Sequence, residues 1–251
     1  MKERGKVSAV FDAQRGDAGK GRVVDIYSSE VDAVARVNGG PNAGHVVVVG
    51  DTEIDLHHIP SGVLHEGVVG ILGHGVFIDP VRLFQDEIPK LERLGINIEP
   101  ELLKISNNAR LIEPAHILWE QYIESSPDAQ GSTKSGIAGV AASKAERTAI
   151  TAIMATENPE KAYRIALKRL EESISRGMPF NGNKQYLIMD WLNEAKKLGP
   201  YLTDTIDYVD QLLSDGKSIL GEAAQGYLLD VEQGMVPYTT SSVTTIGGLL
   251  S

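Results

Sequence analysis

A chain of 251 residues, 42% hydrophobic and 23% charged, can bury a sizeable core and has the make-up of an ordinary globular protein. Its formal net charge of −10 argues against a nucleic-acid-binding surface, although a small anionic ligand answers to the local loop and not to the whole surface. The absence of cysteine excludes disulfides, thiolate nucleophiles and zinc–thiolate sites; no apolar run could span a bilayer and Met1-Lys2-Glu3-Arg4 lacks a signal-peptide core, so a cytoplasmic protein without a membrane partner is expected.

Along the chain, Val7–Phe11 reads as a short strand. It runs into the glycine-rich stretch Asp12-Ala13-Gln14-Arg15-Gly16-Asp17-Ala18-Gly19-Lys20-Gly21, then into an amphipathic segment carrying Val23, Val24, Ile26 and Tyr27. Further strands are expected around Ala33–Val37, at Val46–Val49 and over Ile71–Ile78. Asp79-Pro80 reads as a helix start; Phe84, Ile88 and Leu91 form its apolar stripe, Gly95 its end, and Pro89 should kink or split it. The segment Ser125 to Gly139 has no periodicity and reads as a flexible loop. A second helix is expected from Asn158-Pro159 to Gly177. A third should run from Thr205 to Asp215, leading past Gly216 into a strand at Ser218–Leu220. Alternating strands and helices imply an α/β fold with a mainly parallel central sheet and flanking helices, expected as a single domain over residues 1–251.

Two loops carry the candidate chemistry. A strand followed by a glycine-rich loop with one lysine presents backbone N–H groups to phosphate. The loop departs from the Walker A pattern, since Gln14 stands where a glycine would be required and Gly21 where Ser or Thr would be. It also holds Asp17, an acid that would repel phosphate unless it binds a metal or moves a proton. The second loop, Asn38-Gly39-Gly40-Pro41-Asn42-Ala43-Gly44-His45, again follows an apolar stretch.

Together with Leu56-His57-His58-Ile59-Pro60-Ser61-Gly62-Val63-Leu64-His65, Gly73-His74-Gly75-Val76, Gly131-Ser132-Thr133, Ala223-Ala224-Gln225-Gly226 and Pro237-Tyr238-Thr239-Thr240-Ser241-Ser242, these loops resemble adenylosuccinate synthetase over nearly the whole chain. The resemblance implies the P-loop-NTPase-like fold of that family, Mg²⁺ as cofactor, and a homodimer. It implies a ligase that joins L-aspartate to C6 of IMP with hydrolysis of GTP through a 6-phosphoryl intermediate. Asp17 would be the base and His45 the charge-stabilising acid. Gly16, Asp17, Ala18, Gly19, Lys20, Gly21, Gly44, His45 and Val46 would contact the donor phosphates. Asp17, Lys20, Asn42, Ala43, Gly44, His45, Thr133, Arg147, Gln225 and Thr240 would contact IMP, with Arg147 reaching in from the other subunit. Asp17 and the Gly44 carbonyl would hold the metal. His57, in a strand, and His58, His65, His74 and His116 show no metal-ligand pattern and read as structural; Trp119 and Trp191 read as packing.

The sequence departs from the family at Arg15, Ala18 and Val46, where Trp, Glu and Thr are usual, and at Lys134-Ser135-Gly136-Ile137-Ala138-Gly139, where the pattern is Gly-Arg-Gly-Ile-Gly-Pro. Family members are longer, and the resemblance implies that aspartate-binding and guanine-recognition parts lie in a C-terminal segment this sequence does not contain. Two alternatives stay open. One is a phage-type variant that takes dGMP to make a 2-aminoadenine precursor, with ATP or dATP as donor. The other is a nucleotide-binding remnant or partner-completed subunit without turnover.

Overall fold

The computed structural model of the protein describes residues 4–49, 52–127 and 129–250. Strand β1 (Val7–Val10) leads through the first glycine loop to helix α1 (Lys20–Ser28), and β2 (Ala33–Arg36) follows. The hairpin β3 (His45–Val49) and β4 (Thr52–Leu56) comes next, then β5 (Val69–Leu72) and β6 (Phe77–Ile78). The stretch expected as one strand over Ile71–Ile78 is therefore two. The chain turns at Gly73-His74-Gly75, and a side chain at Gly75 would collide with the Val37 carbonyl, so a continuous strand would push β2's exit loop aside.

The helix starting at Asp79 forms as expected. The Asp79 carboxylate accepts from Val81 N (3.0 Å) and Arg82 N (3.2 Å) at the head of α2 (Pro80–Arg82). A wide π-type turn, Leu83–Glu87, then delivers the chain into α3 (Ile88–Glu92). Pro89 splits the helix by this turn: Ile88 N–H bonds Leu83 O, and the missing proline N–H falls in the first turn of α3 where it costs little. Strands β7 (Leu103–Ser106) and β8 (Arg110–Leu111) precede four helices, α4 (Pro114–Ile123), α5 (Ile137–Ala145), α6 (Ala152–Glu157) and α7 (Pro159–Ser175). The loop expected to reach Gly139 thus ends at Gly136, because Ile137 and Val140 are buried against Phe77 and Ile112 and hold the chain in a helix. Helices α8 (Lys184–Lys196) and α9 (Thr205–Ser214), short strand β9 (Leu202–Thr203) between them, strand β10 (Ile219–Glu222) and the turn α10 (Gly247–Leu250) complete the chain.

The main sheet has six strands in the order β1-β10-β2-β5-β7-β9, and every pairing in it is parallel. Strand β10, made last along the sheet, inserts between β1 and β2, so both of its edges are paired, and with helices on its two faces all four residues are buried. One face meets α1 through Val24, Val34 and Leu220, while the other receives Tyr208, Val209, Leu212 and Leu213 of α9 over Ala33, Ile71 and Ile219. Of the expected apolar face of α1, only Val24 is buried; Val23, Ile26 and Tyr27 are exposed. A larger core joins Leu72 and Ile105 of the sheet to α7 and α8 through Ala162, Ala166, Leu170, Trp191 and Leu192. Trp191 packs there and donates its Nε1–H to Ile112 O (2.8 Å), as a buried indole must. No helix among the described residues is long and apolar enough to cross a membrane.

Candidate active site

Parallel sheets of this kind bind ligands beyond the carboxyl ends of their strands, and both glycine loops leave from that edge. Between β1 and α1, Asp12 Oδ1 accepts from Gln14 N (2.6 Å) and closes a turn. The loop is tied to the segment after β10 by Tyr227 N–Asp12 O (2.9 Å) and Leu228 N–Gln14 O (2.8 Å). Asp17, Ala18 and Gly19 are exposed at its tip. Helix α1 starts after Gly19 with no capping side chain, so its first N–H groups are left for an anion. Lys20 is turned inward: it is buried, donates to Gly16 O (2.9 Å), and stands 3.7 Å from Asp12 Oδ2. Burial pulls its pKa below the ordinary lysine value, with Asp12 the main opposing influence.

The second loop is pinned from beneath by Asn38. Its Oδ1 accepts from Ala224 N (2.9 Å) and its Nδ2 donates to Val243 O (2.9 Å), so one buried amide joins the end of β2 to two parts of the C-terminal segment. Gly39 has φ 78°, and a Cβ there would lie 2.5 Å from that of Ala224; only glycine lets the two loops approach. Ala43 is buried, with its carbonyl accepting from His57 Nδ1 (2.6 Å), while Gly44 and Val46 are exposed. His45 opens β3, buried beside Gly21, where a Cβ would come within 3.1 Å of the His45 Cβ. Its Nδ1 bonds Glu222 Oε1.

Glu222 ends β10 in register with Arg36 of β2, which places a carboxylate and a guanidinium side by side in the sheet interior. Both are fully buried. Glu222 also accepts from Ser61 N (3.0 Å) and Ser61 Oγ (3.3 Å). Burial pushes its pKa up, but the attraction and hydrogen bond of His45, with Arg36 and the Ser61 N–H, outweigh it and hold the group below the usual carboxylate value. Arg36 donates through Nη1 to His57 O, while its Nε and Nη2 have no hydrogen-bond partner. A second buried acid, Glu87 in the π-type turn, gathers the N–H groups of His57, His58 and Ile59 and the ring of His58. Burial acts to raise it, yet these bonds hold its pKa at about 2.

Beside these loops lies a cavity of about 350 Å³, within the range of small-molecule sites. Asn42, Thr133, Gln225 and Thr240 line it together, although they come from four separate parts of the sequence. Asn42 Nδ2 donates to Thr240 Oγ1 (3.4 Å), leaving its Oδ1 buried and unpartnered, and Gln225 Nε2 is likewise buried without a partner. One free acceptor and one free donor thus belong to residues that line the cavity. Gly16 abuts this wall, since a Cβ on it would be 3.2 Å from the Gln225 backbone. Asp17, Lys20 and His45 do not line the cavity, and neither does Arg147. Arg147 sits past the end of α5, exposed, at φ 64°. His57 lies just beyond β4 and not inside a strand, because its backbone N–H is taken by Glu87. Among the described residues no cluster of three or more His, Asp or Glu side chains could hold a metal by itself.

Sequence reasoning passed over Asp12, Arg36, Glu87, Glu120 and Glu222. Glu120 lines the cavity and accepts from Gly136 N. Glu222 carried a visible signal, an acid ending an apolar run directly before Ala223-Ala224-Gln225-Gly226.

The architecture and the site define a parallel-sheet α/β protein with a glycine-rich loop between β1 and α1 and an adjoining polar cavity. The adenylosuccinate synthetase family model matches residues 9–251, and the chain belongs to that family. It is 41% identical to the adenylosuccinate synthetase of Salinibacter ruber, over 96% of this chain and 58% of the relative, and 38% identical to that of Clostridium botulinum strain Eklund 17B with the same coverage. The chain therefore spans somewhat under three fifths of the curated relatives it matches. The structure of fully ligated adenylosuccinate synthetase from Plasmodium falciparum superposes with a TM-score of 0.86 at 30% identity, covering 98% of this chain and 57% of that one. The succinoaminodeoxyadenylate synthetase of cyanophage S-2L, bound to dGMP and dATP, shares the fold with a TM-score of 0.62 at 23% identity, covering 99% and 59%.

Proposed function

We propose that this chain holds the acceptor-nucleotide site of an adenylosuccinate synthetase and takes part in joining L-aspartate to C6 of IMP at the expense of GTP. The observation that carries the reading is the cavity where Asn42, Thr133, Gln225 and Thr240 converge with one unpartnered acceptor and one unpartnered donor. Polar groups of a bound nucleotide satisfy such a pair, and leaving the pair unpaired costs about 1–3 kcal/mol per buried group.

Oxygen at C6 is a poor leaving group and must first be phosphorylated. Asp17, exposed at the loop tip, takes the N1 proton, and the electron pair so released makes O6 the nucleophile toward the γ-phosphorus of GTP. The P–O bond to GDP breaks as the new P–O6 bond forms. His45, with Nδ1 engaged by Glu222, has Nε2 left to donate toward the charge that builds on the phosphoryl oxygens. The N–H groups at the start of α1, with Gly16 through Gly21, Gly44 and Val46, cradle the phosphates, and Lys20 joins them once drawn out. In the second half the aspartate amine attacks C6, loses a proton, and phosphate departs with O6. Asp17 and the Gly44 carbonyl are oxygen donors of the hard kind Mg²⁺ prefers, and with no larger acidic cluster described nearby they would hold it only together with phosphate oxygens. Bound there, Mg²⁺ would supply charge neutralisation at the transferred phosphoryl group. The exposed Arg147 past α5 suits a reach to the nucleotide of a second subunit in a homodimer.

The test is calorimetric titration of IMP and dGMP, separately, into the 251-residue chain. Saturable IMP binding supports the reading. Preference for dGMP would move the protein to the phage-type reaction, and binding of neither would overturn the acceptor-site assignment.

A further inference from the structure

We propose that Asp12 sets the affinity of the glycine-rich loop for phosphate by holding Lys20 in an inward, occluded position from which an incoming phosphate must withdraw it. The proposal rests on the reading of that loop as the phosphate-binding element. Both side chains are almost wholly removed from solvent, 1% exposed for Asp12 and 4% for Lys20. An ammonium has three N–H donors. One of them goes to Gly16 O (2.9 Å), while the Asp12 carboxylate lies 3.7 Å away, close enough to attract and too far to bond. Asp12 Oδ2 has no hydrogen-bond partner, so the carboxylate is committed through Oδ1 to Gln14 N and through charge alone to Lys20.

Three charged groups face the ammonium. Glu222 attracts it and Arg36 repels it, and Asp12 exerts the strongest of the charge effects. Without the Asp12 charge, the ammonium would stay buried on a single carbonyl, an unfavourable state that water or an anion relieves. A phosphate at the N-terminus of α1 therefore competes with Asp12 for the same lysine. The carboxylate acts as an internal stand-in anion that keeps the empty loop closed on itself and weakens binding of the real one.

Asp12→Asn keeps the acceptor for Gln14 N while deleting the charge, and Asp12→Ser keeps a shorter acceptor should the first variant not fold. Two readouts are taken on each: calorimetric binding of pyrophosphate and of GTP, and the rate at which an amine-acetylating reagent labels Lys20, with exposed Lys161 as internal reference. The expected result is several-fold faster labelling of Lys20 and about tenfold tighter pyrophosphate binding. Unchanged labelling of Lys20 overturns the proposal whatever the ligands do. Faster labelling with equal or weaker pyrophosphate binding overturns it too, because Asp12 would then position the lysine and not restrain it. If neither wild type nor variants bind pyrophosphate or GTP, the reading of the loop as a phosphate site fails, and faster labelling alone establishes the restraint.

Discussion

Replacing Glu222 by glutamine keeps the shape of the side chain and one acceptor oxygen, but removes a negative charge from a place that water does not reach. Two losses follow. The charge-assisted bond to His45 becomes a neutral one, a difference of about 1 kcal/mol. Arg36, fully buried and already carrying unpartnered Nε and Nη2, loses the stronger of its two carboxylate partners and is left with Glu87. The two side chains form no contact ion pair and attract each other only through space, so this loss is smaller than the about 3–5 kcal/mol of a broken buried salt bridge. Because Glu87 remains, about 1–2 kcal/mol is assigned to this second loss, and with the His45 bond a total of about 2–3 kcal/mol is expected, a sizeable part of the roughly 5–15 kcal/mol that holds a domain folded. Urea unfolding of Glu222→Gln, Arg36→Met and the double variant forms a cycle that isolates the pair. The double variant should cost less than the sum of the singles by about 1 kcal/mol or more, since it removes both charges together. Additive singles, or a Glu222→Gln cost below about 1 kcal/mol, would refute the idea that these two residues form one buried unit beneath His45.

Asp17→Asn is expected to lower phosphate release from GTP, in a protein that turns over, by about 10²- to 10⁴-fold while IMP affinity stays nearly constant. Equal turnover in the variant would place the base elsewhere. Gln225→Ala removes the unpartnered donor of the cavity and should weaken IMP binding about tenfold by calorimetry; unchanged affinity takes Gln225 out of the site. Glu87 has a folded pKa of about 2 against an ordinary 4.5, so the stability it contributes is fully present above pH 4.5 and is lost as pH falls toward 2. That loss amounts to about 3 kcal/mol in full, of which about 2 kcal/mol falls between pH 5 and pH 3, so the unfolding free energies from urea titrations at those two pH values should differ by about 2 kcal/mol less in Glu87→Gln. An equal acid effect in that variant would show that the π-type turn holds its acid without shifting it.

Local chemistry was enough to write much of the fold into the sequence. The helix from Asn158-Pro159 to Gly177 and the helix ended by Gly216 appear as expected, because their caps are read from neighbours a few residues away: Asn158 Oδ1 accepts from Lys161 N and Asp204 Oδ1 from Ile206 N. The kink at Pro89 was equally legible, since a missing N–H acts within one turn. Helices α4, α5, α6 and α8 were not, and α5 shows why. Its sequence, Ile137-Ala138-Gly139-Val140, is glycine-bearing and follows a polar loop; what makes it helical is burial of Ile137 and Val140 against Phe77 and Ile112, elsewhere in the chain.

The candidate site divides in the same way. Each loop carries its own glycines, and their need for positive φ or close backbone approach is a local requirement that the residue type announces. The sequence alone therefore marked Gly16 through Lys20 and Asn38 through His45, and the family motifs marked Asn42, Thr133, Gln225 and Thr240. Which residues meet is a matter of strand order. Because β10 inserts between β1 and β2, Glu222 comes to lie beside Arg36 and under His45, 186 and 177 positions away from them in the sequence. No spacing rule links residues so distant. Their shared burial in a medium that cannot solvate charge is what turns two ordinary ionisable residues into the support of the His45 ring. The inward turn of Lys20 has the same origin. A lysine in a glycine loop reads as a hand held out to phosphate, and only the packed interior of the loop, with Asp12 at 3.7 Å, decides that it rests closed.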